Sequence, residues 1–219
     1  MIKDNLKKIK QNIPEHVTLV AVSKTKPIQD IEEAYAAGQR VFGENKIQEM
    51  ATKYEALPKD IQWHMIGHLQ RNKVKYMAHF VSLIHGVDNF KTLVEINKQA
   101  KKHDRVIHCL LQAKIAKEDT KFGLSFTGIK DILNSEEFME LDNVKVTGLM
   151  GMATFTDDTV QLNEEFSSLF NFFKEMSTKF PTLTTLSMGM SGDYQQAIAN
   201  GSSMVRIGSS IFGVRNYIT

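Results

Sequence analysis

The chain has 219 residues, 42% of them hydrophobic and 24% charged, a balance that suits an ordinary globular protein and excludes disordered, collagen-like and disulfide-scaffold classes. Its formal net charge is only +2, and the lysines and arginines are spread along the chain and not blocked, which argues against a nucleic-acid-binding surface. A chain of this length can share one hydrophobic core, so residues 1–219 read as a single domain.

In chain order, the first segment, "MIKDNLKKIKQNIPEH", alternates charges with single aliphatics. It lacks the apolar core of an export signal and reads as an extra N-terminal helix. Strands are then predicted over 19–24, 40–44, 62–67, 80–87, 106–113, 144–152, 183–190 and 204–212. Between them, "PIQDIEEAYAAG" has Pro27 near a helix start and Gly38 where a helix would end. Further helical segments with apolar residues at three- and four-residue spacing are "NKIQEMATKYEAL", "LQRNKVKYMA", "DNFKTLVEINKQAKKH", "FTGIKDILNS", "DTVQLNEEFSSLFNFFKEMSTKF" and "DYQQAIANG". Phe166, Phe170, Phe173 and Phe180 form an aromatic stripe expected to pack on the sheet.

Several strands are apolar nearly throughout ("TLVAV", "FVSLI", "CLLQA"), as parallel strands covered by helices are. Eight such units suggest an α/β fold of the closed (β/α)₈ TIM-barrel type, with a doubly wound open sheet as the alternative. No G-x-G-x-x-G follows the first strand, which counts against a dinucleotide-binding form. The single cysteine, Cys109, lies in an apolar run and reads as a core thiol in a reducing cytoplasm. No run of 18 apolar residues exists, so no membrane span is expected.

The chemistry starts at "AVSKTKP". If 19–24 is a strand, Lys24 stands at its C-terminal end, where barrel enzymes build their sites. In an extended chain Lys26 would share its face, and the second charge would lower the pKa of one lysine, which imine formation requires. Two solvated lysines at a strand end are the plainer reading of the same residues.

Near the other end, "LSMGMSGDYQQAIANG" and "MVRIGSSIFG" each run from a strand into small residues and a helix start. Gly189, Ser191 and Gly192 in one, and Gly208, Ser209 and Ser210 in the other, would offer N–H groups and hydroxyls to an anion; alternatively the glycines only make tight turns. In a barrel the loops after strands seven and eight are a frequent phosphate site, and closure sets strand eight beside strand one. By strand parity Arg206 faces the lumen with Gly208, and it needs either a ligand atom or a buried carboxylate there. An H-x-x-x-H pair, His64 and His68, with His85 and His108 nearby, is a poor metal site because it spans a strand end and lacks the Glu of H-E-x-x-H.

Together with "AGQRVFGEN", "WHMIGHLQRNK", "KFGL" and "GLMGM", these stretches run through nearly the whole chain in an order that resembles the pyridoxal 5'-phosphate homeostasis protein family, related in fold to the barrel domain of alanine racemase. The resemblance implies a pyridoxal 5'-phosphate (PLP) cofactor held as a Schiff base on Lys24, with Lys26 as the neighbouring lysine that tunes the site or handles cofactor in transit. It implies phosphate contacts from Ser191, Gly192, Gly208 and Ser209, Arg206 near the pyridine nitrogen, and Asn45 on the cofactor side. Gly86, Lys114 and Ser209 stand where the family more often has serine, asparagine and threonine.

The implied role is intracellular holding, buffering or delivery of PLP by a cytoplasmic monomer, with enzymes awaiting the cofactor as recipients and no metal, nucleic acid or membrane involved. Robust amino-acid turnover is not expected, because a racemase of this ancestry also needs a second base carried by a further domain, and Ile218-Thr219 ends the chain. A PLP-dependent racemase-like enzyme is the alternative.

Overall fold

Eight short strands, all parallel, hydrogen-bond in chain order and close into a ring. The computed structural model describes residues 1–118 and 122–213; Lys121 of "KFGL" and the terminal Ile218 and Thr219 lie outside the described residues. The strands are β1 (Thr18–Val22), β2 (Val41–Glu44), β3 (Gln62–Met65), β4 (Leu83–Val87), β5 (Ile107–Ala113), β6 (Val144–Gly151), β7 (Thr185–Met190) and β8 (Met204–Ile207). The helices are α1 (Ile2–Gln11), α2 (Ile28–Ala36), α3 (Ile47–Ala56), α4 (Phe90–Lys101), α5 (Phe126–Asn134), α6 (Glu136–Met139), α7 (Thr159–Lys179), α8 (Tyr194–Ala199) and α9 (Ser209–Phe212), with a 3₁₀ helix at Arg71–Tyr76.

The seam of the ring is β1 against β8, with Leu19 beside Val205, Val20 beside Arg206 and Ala21 beside Ile207. That pairing excludes the open-sheet alternative. The register also settles strand parity. Val205 and Ile207 join the apolar layer between sheet and helices. Met204 turns inward to meet Val20, Leu83, Leu110 and Met150 in the lumen.

Two strand ends differ from expectation. β1 stops at Val22 and not at Lys24. β8 stops at Ile207, and residues 209–212, expected as strand, form the single helical turn α9. The segment "LQRNKVKYMA", expected as an α-helix, makes only the 3₁₀ helix, and Val74 is its one buried residue.

Helix boundaries follow local chemistry. At the end of α2, Gly38 has φ of +86°, its N–H donates to Tyr35 O, and the Gln39 N–H donates to Ala34 O. This is a Schellman cap, open to glycine because it has no Cβ to clash. On α1, Ile2, Leu6 and Ile9 are buried at helical spacing, and Asn5 Nδ2 donates to Ile211 O, so the extra helix backs α9 from behind. On α7, Phe166 is fully buried and Phe170 and Phe173 pack against the core, as does Phe180 just beyond it. A fully buried side chain such as Phe166 contributes roughly 1.5–3 kcal/mol, and the partly buried ones less. Cys109 is buried, which pushes its thiol pKa up and leaves it inert. Among the described residues no helix is long and apolar enough to cross a membrane.

Candidate functional site

The chain leaves β1 through a tight turn. Ser23 N–H still donates to Gly43 O, continuing the ladder, but Lys26 N–H folds back to Ser23 O at 3.0 Å and Thr25 has φ of +64°. The backbone from Lys24 to Lys26 is therefore not extended, and the expectation that the two lysines share a face by strand alternation fails. Lys24 is half-buried at the C-terminal rim. Lys26 has a different engagement: its Nζ donates to Phe212 O at 3.0 Å and Gly213 O at 3.2 Å. These are carbonyls at the end of α9, which have no acceptor role left within the helix and attract a cation.

A buried ionic network fixes the turn that carries Lys24. Ser23 Oγ donates to Glu44 Oε1 at 2.6 Å. Lys53 Nζ, from α3, donates to Ser23 O at 2.8 Å, Glu44 Oε1 at 2.8 Å and Glu49 Oε1 at 2.7 Å. Glu49 also accepts the Thr25 N–H at 2.5 Å. Glu44 is fully buried and its Oε2 has no partner. Burial outweighs the attraction of Lys53 and pushes the Glu44 carboxyl up to about 7.

Asn45 follows β2 on the same rim and is half-buried. The chain after β3 presses on it so closely that a Cβ at Gly67 would lie 2.5 Å from Asn45 O, which accounts for the glycine in "WHMIGHLQRNK".

The opposite half of the site comes from β7 and β8. Ser191 Oγ accepts the Gly208 N–H at 3.1 Å, which ties the two small-residue loops together. This bond occupies one N–H of the expected anion cup and leaves the Ser191 hydroxyl hydrogen to donate outward. Gly192 and Ser209 are exposed, and a Cβ at Gly192 would meet nothing within 4 Å, so that side of the cup is open. A Cβ at Gly208 would lie 3.2 Å from Val22 Cβ, so the cup abuts the end of the strand that leads to Lys24.

Arg206 is buried in the lumen, as parity predicts. It donates hydrogen bonds to a hydroxyl and a carbonyl: NH1 to Ser187 Oγ at 2.6 Å and NH2 to Gly151 O at 3.0 Å. Desolvation lowers its pKa to about 10, and Asp193 partly offsets this. Two of its five N–H donors are thereby engaged within the barrel.

Below Arg206 lies a chain of groups that the sequence reading did not assemble. His85 Nδ1 lies 3.0 Å from Ser187 Oγ, and His85 Nε2 lies 3.0 Å from His64 Nδ1. Both imidazoles are buried and neutral: desolvation lowers His64 to about 3 and His85 well below its usual value. His68, the other half of the H-x-x-x-H pair, turns away to Asp88 at 3.1 Å. Among the described residues no three potential metal ligands gather. Applying to β3, β4 and β7 the parity argument used for Arg206 would have placed His64, His85 and Ser187 in the lumen together.

Residues 1–216 match the family described as alanine racemase, N-terminal domain. The pyridoxal phosphate homeostasis protein of Pasteurella multocida is 37% identical over 231 residues, spanning 99% of this chain and 98% of that protein. The protein of the same name from Aquifex aeolicus is 40% identical over 201 residues, 91% of this chain and 87% of that one. Among solved structures, PipY of Synechococcus elongatus with PLP bound superposes with a TM-score of 0.88 at 33% identity, covering 97% of this chain and all of that one. With relatives of that name 37–40% identical over more than nine-tenths of its length, the chain belongs to the pyridoxal phosphate homeostasis protein family.

Proposed function

We propose that this protein binds PLP at the C-terminal rim of its barrel and serves in its intracellular homeostasis by holding, buffering or delivering it. The observation that carries this reading is the β1–β8 seam, which sets the turn bearing Lys24 beside the cup of Ser191, Gly192, Gly208 and Ser209. The residues fit the group. The cup has an open side and a hydroxyl with its hydrogen to give, Arg206 projects a buried cation into the lumen, and Lys24 stands at the rim. PLP supplies an aldehyde that an amine can capture reversibly.

Within that reading Lys24 provides the amine for the Schiff base, and the Glu44–Lys53–Ser23 network fixes the turn from which it projects. Lys26 holds the end of α9, and with it the far wall of the cup. Asn45 lines the neighbouring strand end. Arg206 faces the pyridine nitrogen; a guanidinium cannot accept a hydrogen bond and disfavours a second positive charge, so the nitrogen stays unprotonated and the ring remains a weak electron sink. Binding without robust amino-acid turnover follows. A buried lone thiol accords with a reducing cytoplasm, and a monomer delivering cofactor to enzymes that lack it is the simplest assembly.

Borohydride treatment of the PLP-loaded protein followed by peptide mass spectrometry tests the assignment. The added mass is expected on Lys24; its appearance on another lysine would overturn it. Product release from amino acids in proportion to protein and time would favour the racemase-like alternative.

A further inference from the structure

At the N-terminal end of the barrel, opposite the rim, lies a cavity of about 590 Å³. Its lining includes Lys145, His108, His64, Thr147, Thr182 and Thr185, and no Asp or Glu. Its polar side chains are one cation, two imidazoles, hydroxyls and an amide, so the wall is rich in donors and has no fixed negative charge. His64 is the one member that is both charged-group-capable and more than nine-tenths buried.

Satisfying every buried donor favours one direction of donation toward this cavity. Arg206 can only donate, so Ser187 Oγ accepts from it; the hydroxyl is fully buried and His85 Nδ1 is its one described acceptor, so giving its hydrogen there satisfies it, whereas the reverse tautomer would leave a buried O–H without a partner. A neutral His85 that accepts at Nδ1 carries its hydrogen on Nε2 and donates to His64 Nδ1. His64 then carries its hydrogen on Nε2, which bonds no described residue. The same direction of donation thus runs from β8 through β7 and β4 to β3, and it ends in an N–H seeking an acceptor at the floor.

We infer that the floor cavity is a second ligand site, for a small oxyanion of the phosphate or carboxylate class, which accepts from His64 Nε2–H and is coupled through His85 and Ser187 to Arg206. The coupling rests on the placement of Arg206 at the PLP ring proposed above; the site itself does not. An anion at the floor strengthens each donor in the chain in turn and draws on the guanidinium from below.

The test is an imidazole ¹⁵N NMR titration of the PLP-loaded protein, its rim cup already filled, with inorganic phosphate and separately with acetate, at constant ionic strength held by chloride. Saturating shifts at His64 and His108 are expected, with half-saturation at about 1 mM for the preferred anion. Lys145→Ala, a surface change, should weaken that binding about fivefold. Ser187→Ala should keep the floor titration but abolish the accompanying change in the visible absorbance of bound PLP. No saturation by ~50 mM of either anion, far above that range, or equal affinity in Lys145→Ala, would overturn the site. Floor binding that never alters the absorbance of the wild-type protein would overturn the coupling. If PLP gives no visible band at all, the rim reading fails, and the same titration of the unloaded protein still decides the floor site.

Discussion

Lys53 reaches Glu44 across 2.8 Å inside the barrel wall, and both side chains are almost wholly closed to solvent. Removing one partner of such a pair strands the other, which typically costs about 3–5 kcal/mol. Lys53→Met is therefore expected to lose about that much stability in urea unfolding at pH 8, and less at pH 5, where Glu44 can take a proton. An equal loss at both pH values would show that the pair is not ionic.

The Glu44 carboxyl titrates near 7 in the folded chain against about 4.5 ordinarily. The folded state thus holds a proton that the unfolded chain releases, so its contribution is fully present below about pH 4.5 and is lost as pH rises to about 7. The change is on the order of 3 kcal/mol. Stability measured across that window should fall less steeply in Glu44→Gln than in the wild type, whatever the other groups contribute to both.

At the rim, Lys24→Ala should abolish both the yellow colour of the PLP-loaded protein and its borohydride-fixed adduct. Lys26→Ala should keep the adduct but release PLP faster, because the α9 carbonyls lose their cation. A stopped-flow release rate equal to wild type would remove Lys26 from the site.

Arg206→Glu, if the barrel tolerates it, should allow the pyridine nitrogen to carry a proton. The rate of α-proton exchange of alanine in D₂O, followed by NMR, should then rise. An unchanged rate in a folded, PLP-loaded variant would place Arg206 elsewhere.

A Cβ at Gly86 would fall 2.5 Å from Gly67 O. In this chain Gly86→Ser is expected to cost about 1–3 kcal/mol by overpacking. A thermal melt that does not move would mean the two loops shift apart freely.

The inward turn of Arg206 was readable from alternation, because "MVRIG" permits only one parity once Gly208 is at the mouth, whereas eight strand-helix units suggested closure but left an open sheet as the alternative until the β1–β8 pairing removed it. The Lys24–Lys26 geometry was not readable. A left-handed threonine leaves no mark in sequence, and its cause, the bond from Thr25 N–H to Glu49, spans 24 positions. The same is true of the Ser23–Glu44–Lys53 network: only the Glu49–Lys53 spacing of four residues hinted that Lys53 had a partner. The end of β8 was misjudged because "GSSIF" is apolar enough for a strand, whereas the Ile211 and Phe212 N–H groups both return to Gly208 O and wind it into α9.

The β1–β8 seam also joins the first strand of the chain to its last. A growing polypeptide that has emerged through β7 already possesses Lys24, Glu44 and Lys53, yet it has neither guanidinium nor complete cup, since Arg206 and Gly208 arrive on the last strand. On the site proposed above, a chain cut before β8 would lack both the guanidinium and the complete cup, and is expected not to retain PLP.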